Sequence, residues 1–255
     1  ILEVKDINFY GLEKRLKELN QNNSIIFTEY LDALNDKLPK MIKQGRIMSK
    51  KYEVVITNPP YMGLRGANET LARYLADKFP VSKHDMFSVF MEVCNRYLME
   101  DGIYAMINQH SWMFLSSFLE LRNRLLNESC FINMIHLGSK AFEENVGTIV
   151  QNVAFVNQKS VIPEYVTRIV DVTKECSTLE KAEKVKEVSS GAENGALYET
   201  DLKKLLAIPS RPFAYWVNEN ILNIFVSMDR FEAMAKPRQG MATSDNKRFL
   251  REWYE

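Results

Sequence analysis

Cysteine is scarce in this sequence, and the few that occur exclude two classes of protein. The 255 residues contain three cysteines, Cys94, Cys130 and Cys176. They are odd in number and far apart, without the paired spacing that zinc sites and disulfide frameworks require. We therefore expect free thiols and a reducing compartment such as the cytoplasm.

Histidine and long apolar runs are also scarce. His84, His110 and His136 are isolated in sequence and show no ligand-type spacing, which predicts that the chain holds no metal. No segment has the pattern of a signal peptide or of a membrane span, so we expect no membrane partner. The chain begins at Ile1 rather than Met, and we interpret it as a soluble fragment.

A net charge is missing as well. Lys and Arg number 33, and so do Asp and Glu, so the whole molecule exerts no long-range attraction on a polyanion. Binding to nucleic acid would have to come from a local patch, and one candidate near the C-terminus consists of Lys236, Arg238, Lys247, Arg248 and Arg251. A solvated loop explains these charges equally well.

The apolar residues, 46% of the chain, are sufficient for a core. They predict a short strand over 2–4, helices from about residues 12 and 31, and then alternating strands (53–57, 103–107, 131–137, 148–156) and helices (86–98, 118–125). Such alternation predicts an α/β fold, with a mostly parallel sheet and helices on both faces. The Lys- and Glu-rich stretch 175–187 indicates an exposed helix or connector and a domain boundary near residue 160.

One short motif carries the chemistry. The sequence Asn58-Pro59-Pro60-Tyr61 directly follows the predicted strand 53–57, and ligands in open α/β sheets bind at the carboxyl ends of strands. The two prolines fix the backbone and supply no N–H donor, which leaves the Pro59 carbonyl free to accept a hydrogen bond. The Asn58 side chain is a second acceptor, and Tyr61 offers a ring for stacking.

Two acceptors that converge on one exocyclic amine are what methylation of that amine requires. Hydrogen bonds from both N–H groups favour a more nucleophilic nitrogen, and fixed acceptors stabilise the positive charge that develops on it. The simplest alternative is that the two prolines only terminate a strand, and the flanking Asn58 and Tyr61 favour the functional interpretation.

Several segments together resemble the PglX family of adenine-specific (N6) DNA methyltransferases from BREX phage-defence systems. These segments are TNPPYMG (57–63), SWMFLSS (111–117), AF (141–142) leading to VQ (150–151), RPFAYW (211–216) and SDNKRF (244–249). The resemblance implies the C-terminal half of a Rossmann-like methyltransferase sheet. It assigns residues 1–160 to a partial catalytic domain and 161–255 to a smaller, mainly helical accessory region that leads into a target-recognition domain.

The resemblance also implies a reaction and its partners. The chain would belong to an enzyme of restriction-modification or phage defence that transfers a methyl group from S-adenosylmethionine to adenine N6. Its substrate would be double-stranded DNA with a flipped adenine, and other defence-system proteins are expected as further partners.

The site residues implied by the resemblance fall into two groups. Asn58, Pro59, Pro60 and Tyr61 would form the catalytic motif, in which Asn58 and Pro59 hold the amine. Tyr61 and Phe142 would stack on the two faces of the flipped base. Asn58, Phe90 and Asp6 would contact the cofactor. Three of these have ordinary structural alternatives, since Phe142 and Phe90 also suit a core and Asp6 suits a helix cap.

The sequence departs from the family at the cofactor site. Neither the Gly-rich loop after a first strand nor the acidic residue after a second is visible, and Gly11 is the only glycine before Gly45. We expect the cofactor-binding half to lie upstream, so that this chain alone is inactive. Methylation of RNA, methylation of a protein glutamine, and a non-catalytic subunit that binds DNA or partner proteins remain the alternatives.

Overall fold

The computed structural model describes residues 7–21, 28–142, 150–192, 194–229, 231–236 and 250. The strand predicted over 2–4 lies outside these residues. The helices are α1 (Phe9–Gln21), α2 (Thr28–Ser49), α3 (Glu69–Lys78), α4 (Met86–Tyr97), α5 (Leu119–Glu128), α6 (Thr178–Ser189), α7 (Glu219–Ser227) and α8 (Phe231–Met234). The strands are β1 (Tyr52–Thr57), β2 (Leu98–Gln109), β3 (Cys130–Gly138), β4 (Asn152–Gln158), β5 (Thr167–Asp171) and β6 (Leu197–Thr200).

The strands form one sheet in the order β1-β2-β4-β3-β5-β6. Strands β1 and β2 are parallel, as are β3 and β5, whereas β4 runs antiparallel to both β2 and β3 and β6 runs antiparallel to β5. The prediction of an α/β sheet is confirmed, but the prediction that it is mostly parallel is wrong, because the sheet is mixed. Strand β4 enters between β2 and β3 from the opposite direction, without the helical crossover that a parallel neighbour needs.

Helix α4 forms as the apolar spacing predicts, and it anchors the core. Asp85 caps its first turn, and Phe87 and Met91 on its inner face are buried against β2. The cap and the continuous apolar face explain why the helix begins and ends where it does. On the same face of the sheet, Trp112 stacks on Phe131 with ring centroids 5.7 Å apart.

The opposite face of the sheet is less well covered over β1 to β4. Its side chains alternate with the buried ones along each strand, and Ile56 on the edge strand β1 is 76% exposed. They border a groove of about 540 Å³, lined among others by Ile56, Ala105, Ile107, Ile135, Ala154 and Val156. Helices are predicted on both faces of the sheet, but the described helices leave this face of β1 exposed.

The sheet and its core continue past residue 160. Strands β5 and β6 extend the sheet, and Phe213 and Tyr215 are buried in the main core. Lys181 on α6 donates hydrogen bonds to the carbonyl oxygens of Leu137, at 2.7 Å, and Val172, at 2.6 Å. The predicted division into 1–160 and 161–255 therefore does not coincide with the end of the sheet. Within the described ranges, no helix is both long enough and apolar enough to cross a membrane.

Candidate active site

The Asn-Pro-Pro-Tyr motif lies at the carboxyl end of β1, where the sequence places it. Thr57 pairs with Met106 of the parallel strand β2, and the chain then leaves the sheet through Asn58. We call residues 58–63 the acceptor loop. Asn58 is exposed and borders the groove on the open face, whereas Pro59 is buried. The loop thus joins the protein interior to an accessible edge of the sheet.

Both predicted acceptors of this loop are free among the residues that the structure describes. No backbone or side-chain donor contacts the Pro59 carbonyl or the Asn58 amide oxygen. The asparagine side chain faces neither a packed core nor an internal partner. Two acceptor oxygens that have no donor among the described residues therefore lie on adjacent residues at the edge of the sheet, with the Asn58 side chain exposed.

Tyr61 is held in place by two contacts. Its ring meets Phe87 edge to face, with centroids 6.3 Å apart, and its hydroxyl lies 3.5 Å from the Ile107 carbonyl oxygen. Burial raises the pKa of Tyr61 to about 12, so the hydroxyl stays protonated at neutral pH. The ring is only half-buried, which leaves part of it accessible for stacking.

Asp85, which the sequence analysis did not single out, fixes the far end of the acceptor loop. One carboxylate oxygen accepts hydrogen bonds from the backbone N–H groups of Met62, at 3.0 Å, and Phe87, at 3.3 Å. Burial raises the pKa of the Asp85 carboxyl, although these N–H donors oppose the rise. An aspartate before an amphipathic helix is a recognisable cap signal, but nothing in the sequence shows that it also holds the loop.

A second set of polar residues lies along the same edge of the sheet. Strands β1, β2, β3 and β5 all point the same way, so their carboxyl ends share one edge. Asn58 follows β1, His110 follows β2, His136 lies near the end of β3, and Asp171 ends β5. Neither histidine had a predicted role, because the two residues are distant along the chain.

Three of these residues and Tyr215 form a hydrogen-bonded chain, which we call the relay. Nδ1 of His110 lies 2.8 Å from Nε2 of His136, and Nδ1 of His136 lies 2.8 Å from the Tyr215 hydroxyl. That hydroxyl donates to Asp171 Oδ2 at 2.8 Å. Thr173 donates its N–H and its hydroxyl to the other carboxylate oxygen, at 2.9 and 2.7 Å. The relay therefore runs from the half-buried Asp171 carboxylate, through the buried His136, to the partly exposed His110 imidazole.

The remaining predicted site residues lie apart from this geometry. Phe142 is 45% exposed at the end of a described range, and no ring contact with Tyr61 is seen among the described residues. Phe90 packs between the two apolar clusters on α4, as a core residue does. Asp6 lies outside the described residues. Their roles in base stacking and cofactor binding stay predictions.

Metal-ligand geometry is not found in the described ranges. No group of three or more His, Cys, Asp or Glu side chains there is arranged to hold a metal ion. The thiols of Cys94, Cys130 and Cys176 are unpaired.

A family model described as "Eco57I restriction-modification methylase" matches residues 3–142. The chain is 38% identical over 233 residues to the adenine-specific methyltransferase PglX of Lacticaseibacillus casei (strain Zhang), covering 89% of this chain and 19% of that protein. It is 35% identical over 218 residues to the adenine-specific methyltransferase BrxX of Escherichia coli O9:H4 (strain HS), covering 84% of this chain and 17% of that protein. The chain thus spans about a fifth of the length of these relatives.

Solved structures share the fold at lower identity. A structure from a type I restriction-modification system superposes with a TM-score of 0.50 at 14% identity, over 70% of this chain and 42% of that chain. A cryo-EM structure of the DrdV–DNA complex gives a TM-score of 0.50 at 18% identity, over 71% of this chain and 20% of that chain. These likenesses concern the fold alone.

Proposed function

This chain belongs to the Eco57I restriction-modification methylase family, and from that membership we propose that it carries the amine-binding half of a DNA methyltransferase acting on adenine N6 in phage defence. Its curated relatives are named adenine-specific methyltransferases. The observation that supports the proposal most directly is the pair of acceptors at Asn58 and Pro59, at the carboxyl edge of the sheet, for which no described residue supplies a donor.

The acceptor loop would promote methyl transfer by orienting the adenine amine and by stabilising the positive charge that develops on its nitrogen. The Asn58 side-chain oxygen and the Pro59 carbonyl would each accept one N–H of the adenine amine, which moves electron density onto nitrogen. As the methyl group transfers, the same oxygens stabilise the positive charge on that nitrogen without reorganising. The buried Pro59 and the Asp85 anchor hold the loop in place beforehand, so little ordering remains for the reaction itself.

The methyl donor is proposed to be S-adenosylmethionine, which supplies an electrophilic methyl group when bound. The described residues fit one side of such a site, because the exposed Asn58 stands at the end of an open groove lined by Thr57 and Ile107. They do not supply a Gly-rich loop. Asn58 would therefore contact both the amine and the cofactor, and Phe90 would support the pocket from the core.

The substrate is proposed to be double-stranded DNA from which one adenine is flipped. The amine is paired and stacked inside a duplex, so it reaches the acceptor loop only after extrusion, at a cost of about a few kcal/mol. Stacking of the flipped base on Tyr61 and Phe142 would offset that cost. A cytoplasmic location and other defence proteins as partners belong to the same proposal.

The test is methylation by the natural polypeptide that contains this chain, measured as transfer of a labelled methyl group to DNA. We expect Asn58→Ala to lower the rate about 100-fold or more, because one of two charge-stabilising acceptors is lost. Asn58→Asp keeps an acceptor oxygen and should retain much more activity. Asn220, an exposed asparagine on α7, provides the control: Asn220→Ala should leave the rate unchanged.

Parallel assays separate the proposal from its alternatives. The same labelled transfer is measured with RNA and with a glutamine-containing peptide, and digestion of the DNA product locates the methyl group on adenine N6. Transfer to RNA or peptide but not to DNA would refute the proposal, as would equal rates for wild type and Asn58→Ala. The absence of transfer to all three, with cofactor bound, would point to a non-catalytic subunit.

A further inference from the structure

The relay lies where the parallel strands end and determines which ring nitrogen of His110, its outermost residue, carries the proton. A carboxylate only accepts hydrogen bonds, so Tyr215 must donate its hydroxyl to Asp171. Burial raises the pKa of Asp171, but hydrogen bonds from Thr173 and Tyr215 outweigh it and hold that pKa below its usual range. Asp171 is therefore ionised at neutral pH, and the Tyr215 oxygen remains to accept the Nδ1–H of His136.

The direction of the hydrogen bonds is fixed from Asp171 outward to His110. Burial lowers the pKa of His136 to about 4, so its ring is neutral and its Nε2 carries no proton. That Nε2 must accept the Nδ1–H of His110. Burial also lowers the pKa of His110. His110 consequently presents an unprotonated Nε2, which acts as a hydrogen-bond acceptor.

This acceptor is available, and aromatic rings surround it. No described residue hydrogen-bonds Nε2 of His110. The His110 ring meets Phe114 edge to face at 5.3 Å, and Phe114 lies 6.1 Å from Trp216. Trp216 is 50% exposed, although it packs against Tyr215 of the relay at 4.9 Å. Phe114 thus lies between a fixed acceptor and an exposed indole ring.

We propose that His110, Phe114 and Trp216 form a contact site for an unpaired nucleobase beside the acceptor loop, in which Nε2 of His110 accepts a hydrogen bond from an amino group of the base. The location supports this, because His110 follows β2 and Asn58 follows the adjacent parallel strand β1. The identity of the ligand rests on the proposed function.

The chemistry of the site selects among nucleic-acid groups. Aromatic side chains stack on any base. A neutral nitrogen acceptor does not attract a phosphate, but it does pair with the exocyclic amines of adenine and cytosine. Thymine has no such amine, and the only donor on its pairing edge is the ring N3–H. The site should therefore distinguish single-stranded DNA by base composition, with the relay as the positioning device that holds His110 in the accepting tautomer.

The experiment measures affinity by fluorescence anisotropy, with labelled single-stranded oligodeoxyadenylate, oligodeoxycytidylate and oligothymidylate and the natural polypeptide that contains this chain. We expect Trp216→Leu to weaken binding of all three about tenfold, because a stacking ring is lost. Tyr215→Phe breaks the relay, so it should reduce the preference for adenine and cytosine over thymine about fivefold. Tyr198→Phe is the matched control, since Tyr198 contacts the Tyr215 ring at 5.2 Å without belonging to the relay, and it should keep the preference.

A second measurement determines the tautomers of His110 and His136 and depends neither on DNA binding nor on methyl transfer. Nitrogen NMR of histidine-labelled protein should show His110 and His136 protonated at Nδ1 at neutral pH, and Tyr215→Phe should shift both signals. Protonation of His110 at Nε2, or unchanged affinity in Trp216→Leu, would overturn the inference.

Failure of this inference can be told apart from failure of the proposed function. Asn58→Ala should lower methyl transfer about 100-fold or more yet keep the base preference, because Asn58 is not part of the His110 site. A wild-type protein that methylates adenine while Trp216→Leu binds normally would refute only the nucleobase site. A protein that shows the base preference without methyl transfer would refute only the proposed function.

Discussion

The carboxylate of Asp85 accepts a hydrogen bond from the backbone N–H of Met62 at a distance of 3.0 Å. The Met62 carbonyl in turn accepts the N–H of Met86, also at 3.0 Å. Asp85 lies at the start of α4 and Met62 at the end of the acceptor loop, so this pair of contacts locks the loop onto a helix that is itself packed in the core. The positions of the two acceptors thus depend on a residue that touches neither.

Replacing Asp85 should therefore affect stability and methylation together. Asp85→Ala removes the α4 cap and the anchor of the loop, and we expect it to lower the free energy of unfolding by about 1–2 kcal/mol. Because the loop then samples other conformations, the methylation rate should fall about tenfold or more. Asp85→Asn retains an acceptor oxygen and should recover most of both. Urea denaturation and the labelled-methyl assay measure the two effects.

Asn68 supplies a control for the capping contribution alone. Its side chain accepts the N–H of Leu71 at 2.9 Å and caps α3, and no hydrogen bond joins it to the acceptor loop among the described residues. Asn68→Ala should destabilise the protein by a similar amount and leave the methylation rate nearly unchanged. If both alanine variants reduce the rate equally, Asp85 acts through stability rather than through the loop.

The part of the site that lies close together in sequence could be predicted. The run Asn58 to Tyr61 follows a recognisable strand, and the amphipathic pattern of α4 is continuous, so local signals suffice for both. The sheet order could not be predicted. Insertion of β4 between β2 and β3 depends on long-range pairing, which a local pattern of apolar residues does not specify.

The relay escaped prediction for a related reason. His110, His136, Asp171 and Tyr215 come from four separate segments, and each is an ordinary residue in its own sequence context. Only the common direction of the strands brings the first three to one edge. Strand β5 extends the sheet and Tyr215 is buried in the main core. The composition change near residue 160 therefore does not mark the end of the sheet.

The pH dependence of stability should report the buried His136. Its folded-state pKa is about 4, below the ordinary value of 6.5, so the unfolded chain binds more protons between these values. Stability must then rise with pH across this window and fall as pH drops from 6.5 to 4, by up to roughly 3 kcal/mol. The charged or titratable groups that act on His136 are His110, Asp171, Lys181 and Tyr215.

Urea unfolding at several pH values, from the His136 pKa of about 4 up to neutral pH, measures this pH dependence of stability. His136→Gln removes the titrating ring, so its stability should change less over the window than that of the wild type. His84→Gln, at an exposed histidine, should retain the wild-type slope. Equal slopes for all three proteins would mean that His136 is not the group responsible.

Arg122 should be among the most sensitive positions outside the site. Its side chain is fully buried and donates hydrogen bonds to the carbonyl oxygens of Trp112 and Leu115, each at 2.7 Å, and of Ser210 at 2.7 and 3.2 Å. Arg122→Met leaves these carbonyls without their donor, and we expect a loss of about 3 kcal/mol or more. Arg73 on α3 makes an exposed ion pair with Glu69, so Arg73→Met should cost about 0–1 kcal/mol. Thermal or urea denaturation of both variants gives the comparison.

Gly138 tests whether the end of β3 must remain free of a side chain. Its φ of +66° disfavours other residues, and an added Cβ would lie 3.0 Å from the backbone of Thr173, which holds the Asp171 carboxylate. Gly191 has a similar φ of +87° with nothing within 4 Å, so Gly191→Ala isolates the backbone strain, worth about 1 kcal/mol. Gly138→Ala should cost at least about 1 kcal/mol more, because it adds a steric clash, and it should also shift the nitrogen signal of His136. Equal unfolding free energies for the two variants would show that Thr173 moves aside freely and that the Asp171 end of the relay is not rigid.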